Sequence, residues 1–258
     1  MSTKGTPMVF RYSVFAIGLT AIISAPMVLA NAWPAPIQAL IEEGLKVHGE
    51  FEAPGGLNGY AATHQGREMT VYVTSDDKQA IVGTMIDAEG NDLSEASLDE
   101  LVRIPQENEL WQRLQQSHWI ADGSADAPRV LYTFTDPNCP YCHRFWEAAR
   151  PWVEAGKVQL RHVMVGILEP DSPAKAAALL GAEDPENTLH RHNNGDGIAP
   201  SAQPREIEDQ VYRNNQLFEE LGLYATPSTL YRQDGRLERV DGMPSEARLV
   251  EMMGSEAP

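Results

Sequence analysis

The chain has two cysteines, Cys139 and Cys142, and both lie in the pentapeptide Cys139-Pro140-Tyr141-Cys142-His143. Spaced this way, two sulfurs can close a small ring, grip a metal together or both bond a haem. No third cysteine offers either one a structural disulfide. Thiol–disulfide exchange starts from a thiolate, and a helix N-terminus favours that anion. Asp136-Pro137-Asn138 stops the preceding strand, so the spacing predicts a helix over residues 139–150 that ends at Pro151. Pro140 suits the first helical position, where no N–H partner is needed. Cys139 then sits among unpaired backbone N–H groups as the nucleophile. Cys142 falls one turn deeper, as the resolving thiol.

Two other chemistries compete. Cys-x-x-Cys-His is also a c-type haem attachment pattern, with His143 as axial ligand. A strand running straight into the motif argues against haem, and His143 also reads as an ordinary helix-surface residue. A structural zinc site wants four ligands. The histidines are scattered, and His190 and His192 lie in a polar stretch and read as solvated. Thr226-Pro227 is the second diagnostic feature. Most X–Pro bonds are trans. A cis bond here would set an extended segment beside the cysteines, where the Thr226 backbone could hold a substrate strand.

The elements that position these residues follow from periodicity. Ile37, Leu40, Ile41 and Leu45 predict a helix over 34–47. Three short runs, 57–63, 68–74 and 79–86, predict a meander whose exposed edge suits a partner. A helix over 107–119 leads to a polar loop. Then come a strand at Arg129–Thr135, a strand over 157–167, helices at Ser172–Leu180 and 206–221 joined by the polar stretch 191–204, a hairpin of 228–232 with 237–240 around Asp234-Gly235, and a helix over 244–252. From residue 129 this is an α/β arrangement with a mixed sheet.

Residues 1–30 read as a secretory signal peptide: Lys4 and Arg11, an apolar run, then Ala30-Asn31-Ala32. Export to an oxidising compartment suits a cysteine pair that cycles. Removing the leader would take the net charge from −17 to about −19. A surface that acidic repels phosphate backbones, so nucleic acid is not an expected partner.

The chain resembles the DsbC/DsbG family of thioredoxin-fold disulfide oxidoreductases. The resemblance rests on Phe51-Glu52-Ala53-Pro54-Gly55-Gly56, Trp111-Gln112-Arg113-Leu114, Gln116-Ser117-His118-Trp119, Asp136-Pro137-Asn138-Cys139-Pro140-Tyr141-Cys142 and Ala149-Arg150-Pro151-Trp152-Val153, in that order. It implies an α+β chain: a small cystatin-like dimerisation domain (31–92), a linker-helix region (93–122) and a thioredoxin-like catalytic domain (123–258) with a helical insertion at about 171–222. It further implies Cys139 and Cys142 as the redox pair, a cis-proline loop at Thr226-Pro227, and substrate contacts from Thr226, Pro227, Pro140 and Tyr141. Family members are V-shaped homodimers kept reduced by the membrane reductase DsbD. They act in the periplasm on exported clients with mispaired disulfides or sulfenylated cysteines, and chaperone activity is attributed to their cleft. No cofactor beyond the cysteine pair and no metal is expected. Pro140-Tyr141 between the cysteines, where DsbC has Gly-Tyr, and the lack of a second cysteine pair favour the DsbG branch. Thr133 stands where thioredoxin has a buried aspartate, so a carboxylate relay to Cys142 from that position is absent. The rival readings are a DsbA-like oxidase and a non-redox holdase.

Overall fold

The computed structural model describes Met1 and residues 33–258, so the leader assigned to residues 1–30 lies outside the described residues. Among the described residues no helix is long and apolar enough to cross a membrane.

Helix α1 (Ala35–Glu42) is shorter than its apolar spacing predicts. Gly44, at φ +100°, turns the chain out of the helix. The residues that would have extended it begin strand β1 (Lys46–Ala53). β1 therefore joins β2 (Leu57–His64), β3 (Arg67–Val73) and β4 (Ala80–Val82) in a four-stranded antiparallel sheet, one strand more than predicted. Ile37, Leu45, Tyr60, Val71 and Val73 form its core against α1. β4 has β3 on one side only, and its Ile81 and Val82 are exposed.

Helix α2 (Glu95–Leu98) runs through a wider turn, Asp99–Arg103, into α3 (Ile104–Gln116). This long helix seats on both sheets. Leu98 and Val102 pack on Ala61 of β2, and Leu114 enters the core of the second sheet. Arg236 of that sheet pairs with Glu107, and Arg103 pairs with Glu68. The helix stops at Ser117, which is extended, before the predicted end at 119. Residues Trp119–Asp122, read from sequence as part of the linker region, are strand β5 of the second sheet.

That sheet has the order β5-β7-β6-β8-β9, built from β6 (Arg129–Thr135), β7 (Val158–Met164), β8 (Ser228–Gln233) and β9 (Arg236–Asp241). β6 and β7 are parallel and the other pairs antiparallel. Alternation along β6 sends Leu131 to one face and Tyr132 and Phe134 to the other. The Leu131 face is covered by α4 (Pro140–Glu154) and α8 (Glu246–Met253), through Phe145, Ala149, Trp152, Leu249 and Met252. The Tyr132 face packs on α3 and on α7 (Arg205–Glu220). Between β7 and β8 lie α5 (Ser172–Leu180), α6 (Pro185–Arg191) and α7. α6 occupies a segment that carries no apolar period, with only Leu189 buried.

Helix α4 does not end at Pro151. It runs three residues further, to Glu154, with Pro151 inside it. The proline removes one helical N–H, but Trp152 and Val153 are both buried in the core. Burying two such side chains is worth several kcal/mol, which offsets the roughly 3 kcal/mol of a mid-helix proline.

Candidate functional site

Cys139 is the N-cap of α4 and Pro140 its first residue, as the motif predicts. The Cys142 backbone N–H donates to the Cys139 sulfur at 3.2 Å. Both sulfurs are free thiols and both residues are buried, at 5% and 4% exposure. Their environments pull them apart. The Cys142 thiol beside it, the Thr226 side chain and the backbone N–H groups of Tyr141 and Cys142 bring the Cys139 pKa down to about 6 against the cost of burial. A contact of opposite sense also exists: the protonated Cys139 thiol donates to the Thr226 carbonyl oxygen at 3.2 Å. The donors aimed at the sulfur outweigh it. Burial pushes the Cys142 thiol well up, and the neighbouring Cys139 adds to this. One sulfur is thus poised as a thiolate at neutral pH and the other as a thiol.

The Thr226-Pro227 bond is cis, and Thr226 and Pro227 are both buried beside the cysteines. Tyr141 is exposed, with the Arg144 guanidinium 5.3 Å from its ring centre. Four more exposed apolar side chains lie on loops tied to Asp136 or to the cis-proline segment: Ile167, Leu168, Tyr224 and Met243. Ile167 and Leu168 follow β7, Tyr224 precedes the cis peptide, and Met243 follows Gly242, which donates to the Pro227 carbonyl at 2.6 Å. Sequence reading picked out Tyr141 alone, because the other four lie in segments without a motif.

Asp136 lies three residues before Cys139. Its carboxylate is a structural knot. One oxygen accepts from the Asn138 N–H and the Ser172 hydroxyl, both at 2.8 Å, and the other from the Ile167 and Leu168 N–H groups at 2.7 and 3.0 Å. Asn138 extends the knot to Asp171 and Lys175. His143 is turned to the Asn193 carbonyl, 2.6 Å from Nε2. The knot needs Gly166. A Cβ there would press on the backbone of Ser172 and Pro173, which cannot yield as a side chain can. Gly166→Ala should therefore lower stability by about 1–3 kcal/mol. Urea unfolding of the dithiol form would show it as an earlier midpoint.

Two expectations are corrected. His190 and His192 are not loosely solvated. His192 Nε2 sits 2.9 Å from the Pro137 carbonyl, and burial lowers its pKa. His190, on α6, reaches the carboxylate of Asp122 at 2.8 Å. Asp122 is fully buried and also receives both Arg150 amino groups and His162 Nε2, the latter at 3.3 Å. Glu186 approaches the same place, and Asp122, Glu186 and His190 come within ligand distance of one another. A guanidinium already holds both Asp122 oxygens, so the cluster reads as an ion-pair network rather than a cation site.

Comparison with known proteins agrees with this geometry. The thioredoxin-like domain family matches residues 120–255. Thiol:disulfide interchange protein DsbG of Pseudomonas aeruginosa is 47% identical, over 92% of this chain and 95% of that protein. DsbG of Escherichia coli K12 is 38% identical, over 92% and 97%. DsbC of Escherichia coli K12 is 25% identical, over 82% and 85%. The chain belongs to the DsbG family of thiol:disulfide interchange proteins, and is a thiol:disulfide oxidoreductase whose second domain is thioredoxin-like.

Proposed function

We propose that the protein is a periplasmic dithiol reductase and disulfide isomerase that acts through Cys139 and Cys142. The observation that carries this reading is the opposed ionisation of the two sulfurs, about 6 for Cys139 against a strongly raised Cys142. The Cys139 thiolate attacks one sulfur of a client disulfide. A bond forms between Cys139 and that sulfur, and the client's other sulfur leaves as a thiolate. In isomerisation a client thiolate displaces Cys139. In reduction Cys142 does so, closing the Cys139–Cys142 disulfide. With a client sulfenic acid, Cys139 condenses with the oxidised sulfur, water leaves, and Cys142 releases the thiol. Thr226 and Pro227 hold the client backbone beside Cys139, with Pro140 and Tyr141 in contact with it. The exposed Tyr141, Ile167, Leu168, Tyr224 and Met243 supply an apolar rim for unfolded clients, which also supports a chaperone role. The exposed edge of β4 favours pairing of two N-terminal domains in a homodimer.

One observation favours an oxidase. A stabilised Cys139 thiolate stabilises the reduced form and makes the disulfide a stronger oxidant. The redox state of the pair in cells separates the two readings, measured by acid quench and thiol alkylation. A mainly dithiol pool is expected, fed by a membrane reductase such as DsbD. A mainly disulfide pool would move the assignment to an oxidase.

A further inference from the structure

Resolution by Cys142 needs a proton acceptor. Burial holds this thiol protonated, and it must lose its proton to attack the mixed disulfide. Thr133, where thioredoxin has a buried aspartate, offers only a hydroxyl, which accepts from Thr229 at 3.1 Å. Asp136 lines a cavity with Cys139 and Cys142, but its four lone-pair directions are already taken by four donors.

A base nevertheless lies behind this wall. Thr135 lines a cavity of about 450 Å³ together with Cys139 and Cys142. The Asp136 backbone N–H, next along the chain, acts on the Cys142 thiol too, lowering its pKa a little against the burial that raises it. The Thr135 hydroxyl is 3.3 Å from Nδ1 of His162, a histidine with 1% exposure on the neighbouring strand β7. His162 Nε2 faces the Asp122 carboxylate. A carboxylate can only accept, so in the neutral ring Nε2 carries the proton and Nδ1 is left as an acceptor turned toward Thr135. The hydroxyl's other contact, to the Thr133 carbonyl, is longer at 3.4 Å.

We infer that Thr135 and His162 form the proton relay of the resolving cysteine. This rests on the reading of Cys142 as the resolving thiol. The Cys142 proton passes across the shared cavity to the Thr135 oxygen, and the Thr135 proton passes to His162 Nδ1. The Cys142 sulfur bonds to Cys139, the bond from Cys139 to the client breaks, and the client sulfur leaves with the electron pair as a thiolate. Cys142 and Cys139 end oxidised and the client sulfur reduced. The imidazolium that forms is held by the Asp122 carboxylate. The charged and titratable groups of the network around His162 are Asp122 on β5, Arg150 on α4, and His190 and Glu186 on α6. Arg150 balances Asp122 before the transfer, and the half-buried His190 and the exposed Glu186 connect the network to solvent.

The test uses the full-length dithiol protein and dithiobis-nitrobenzoate in a stopped-flow spectrometer. The first coloured thiolate reports attack by Cys139 and the second reports resolution by Cys142. In His162→Gln the first phase should keep its rate and its pH midpoint. The second should slow by about 10²-fold at pH 7, the usual worth of a positioned acid–base group, and recover tenfold per pH unit toward alkaline pH. Thr135→Val, close in shape to threonine, should give the same profile and decides the matter alone if His162→Gln does not fold. An unchanged second phase in a folded variant, or equal slowing of both phases, would overturn the relay. A wild-type protein without a second phase would instead overturn the role of Cys142 itself.

Discussion

Cys139→Ser is expected to reduce turnover of a mispaired client to the uncatalysed background, while Cys142→Ala still attacks but stalls. Non-reducing electrophoresis should then show covalent client adducts on Cys142→Ala and none on Cys139→Ser. Adducts on Cys139→Ser would reverse the assignment of the two sulfurs. The asymmetry also fixes a pH profile. With a Cys139 pKa of about 6, roughly ten thiolates exist for each thiol at pH 7. Alkylation of the reduced protein by iodoacetamide should rise through a midpoint near 6. The Cys142 thiol is the largest cause of the depression, so Cys142→Ala should move that midpoint upward. The same shift enters stability. A depressed pKa stabilises the folded dithiol form fully above the unfolded value near 9, and this is lost as pH falls through about 6. Three units correspond to a contribution on the order of 4 kcal/mol. The disulfide form has no such thiolate. Unfolding measured at pH 9 and at pH 5 should therefore show the reduced protein losing stability relative to the oxidised protein at the lower pH.

What sequence reading could reach depended on how local the signal was. β6 was legible to its last residue because Val130, Tyr132, Thr133 and Phe134 stand between a proline and Asp136-Pro137. The placement of Cys139 at a helix start was legible because cap, proline and both sulfurs lie within four residues. β5 was lost because four residues carry too little alternation, and Trp119 falls in step with the apolar side of the helix before it. β1 was lost in the same way, to an apolar period that carries on past Gly44. The network behind the cysteines had no local signal at all. Asp122 and Arg150 are 28 residues apart, and Asp122 and His162 are 40 apart. They meet because β5 pairs with β7 in a register that sets Ile120 against His162 and Asp122 against Leu160, while α4 crosses the same face. Only the tertiary fold makes them neighbours.

That network should also be the most sensitive polar point in the fold. Asp122→Asn is expected to lower stability by about 3–5 kcal/mol, because it leaves the largely buried Arg150 guanidinium without its counter-charge. Burial alone would raise the Asp122 pKa, but His162 and Arg150 prevail and hold its carboxyl well below the usual carboxylate range. The stability this confers is complete above the unfolded value near 4 and drains away as pH falls further. Acid titration of wild-type stability should therefore slope steeply below pH 4, and Asp122→Asn should flatten that slope as well as lower the curve. Urea midpoints across pH 2–7 measure both effects. An exposed carboxylate would do neither, since surface pairs contribute no more than about 1 kcal/mol. The iodoacetamide midpoint of Cys139 separates this loss from damage to the redox site. Asp122 is not among the groups that lower the Cys139 pKa, so the midpoint should stay near 6 in whatever fraction of the variant remains folded.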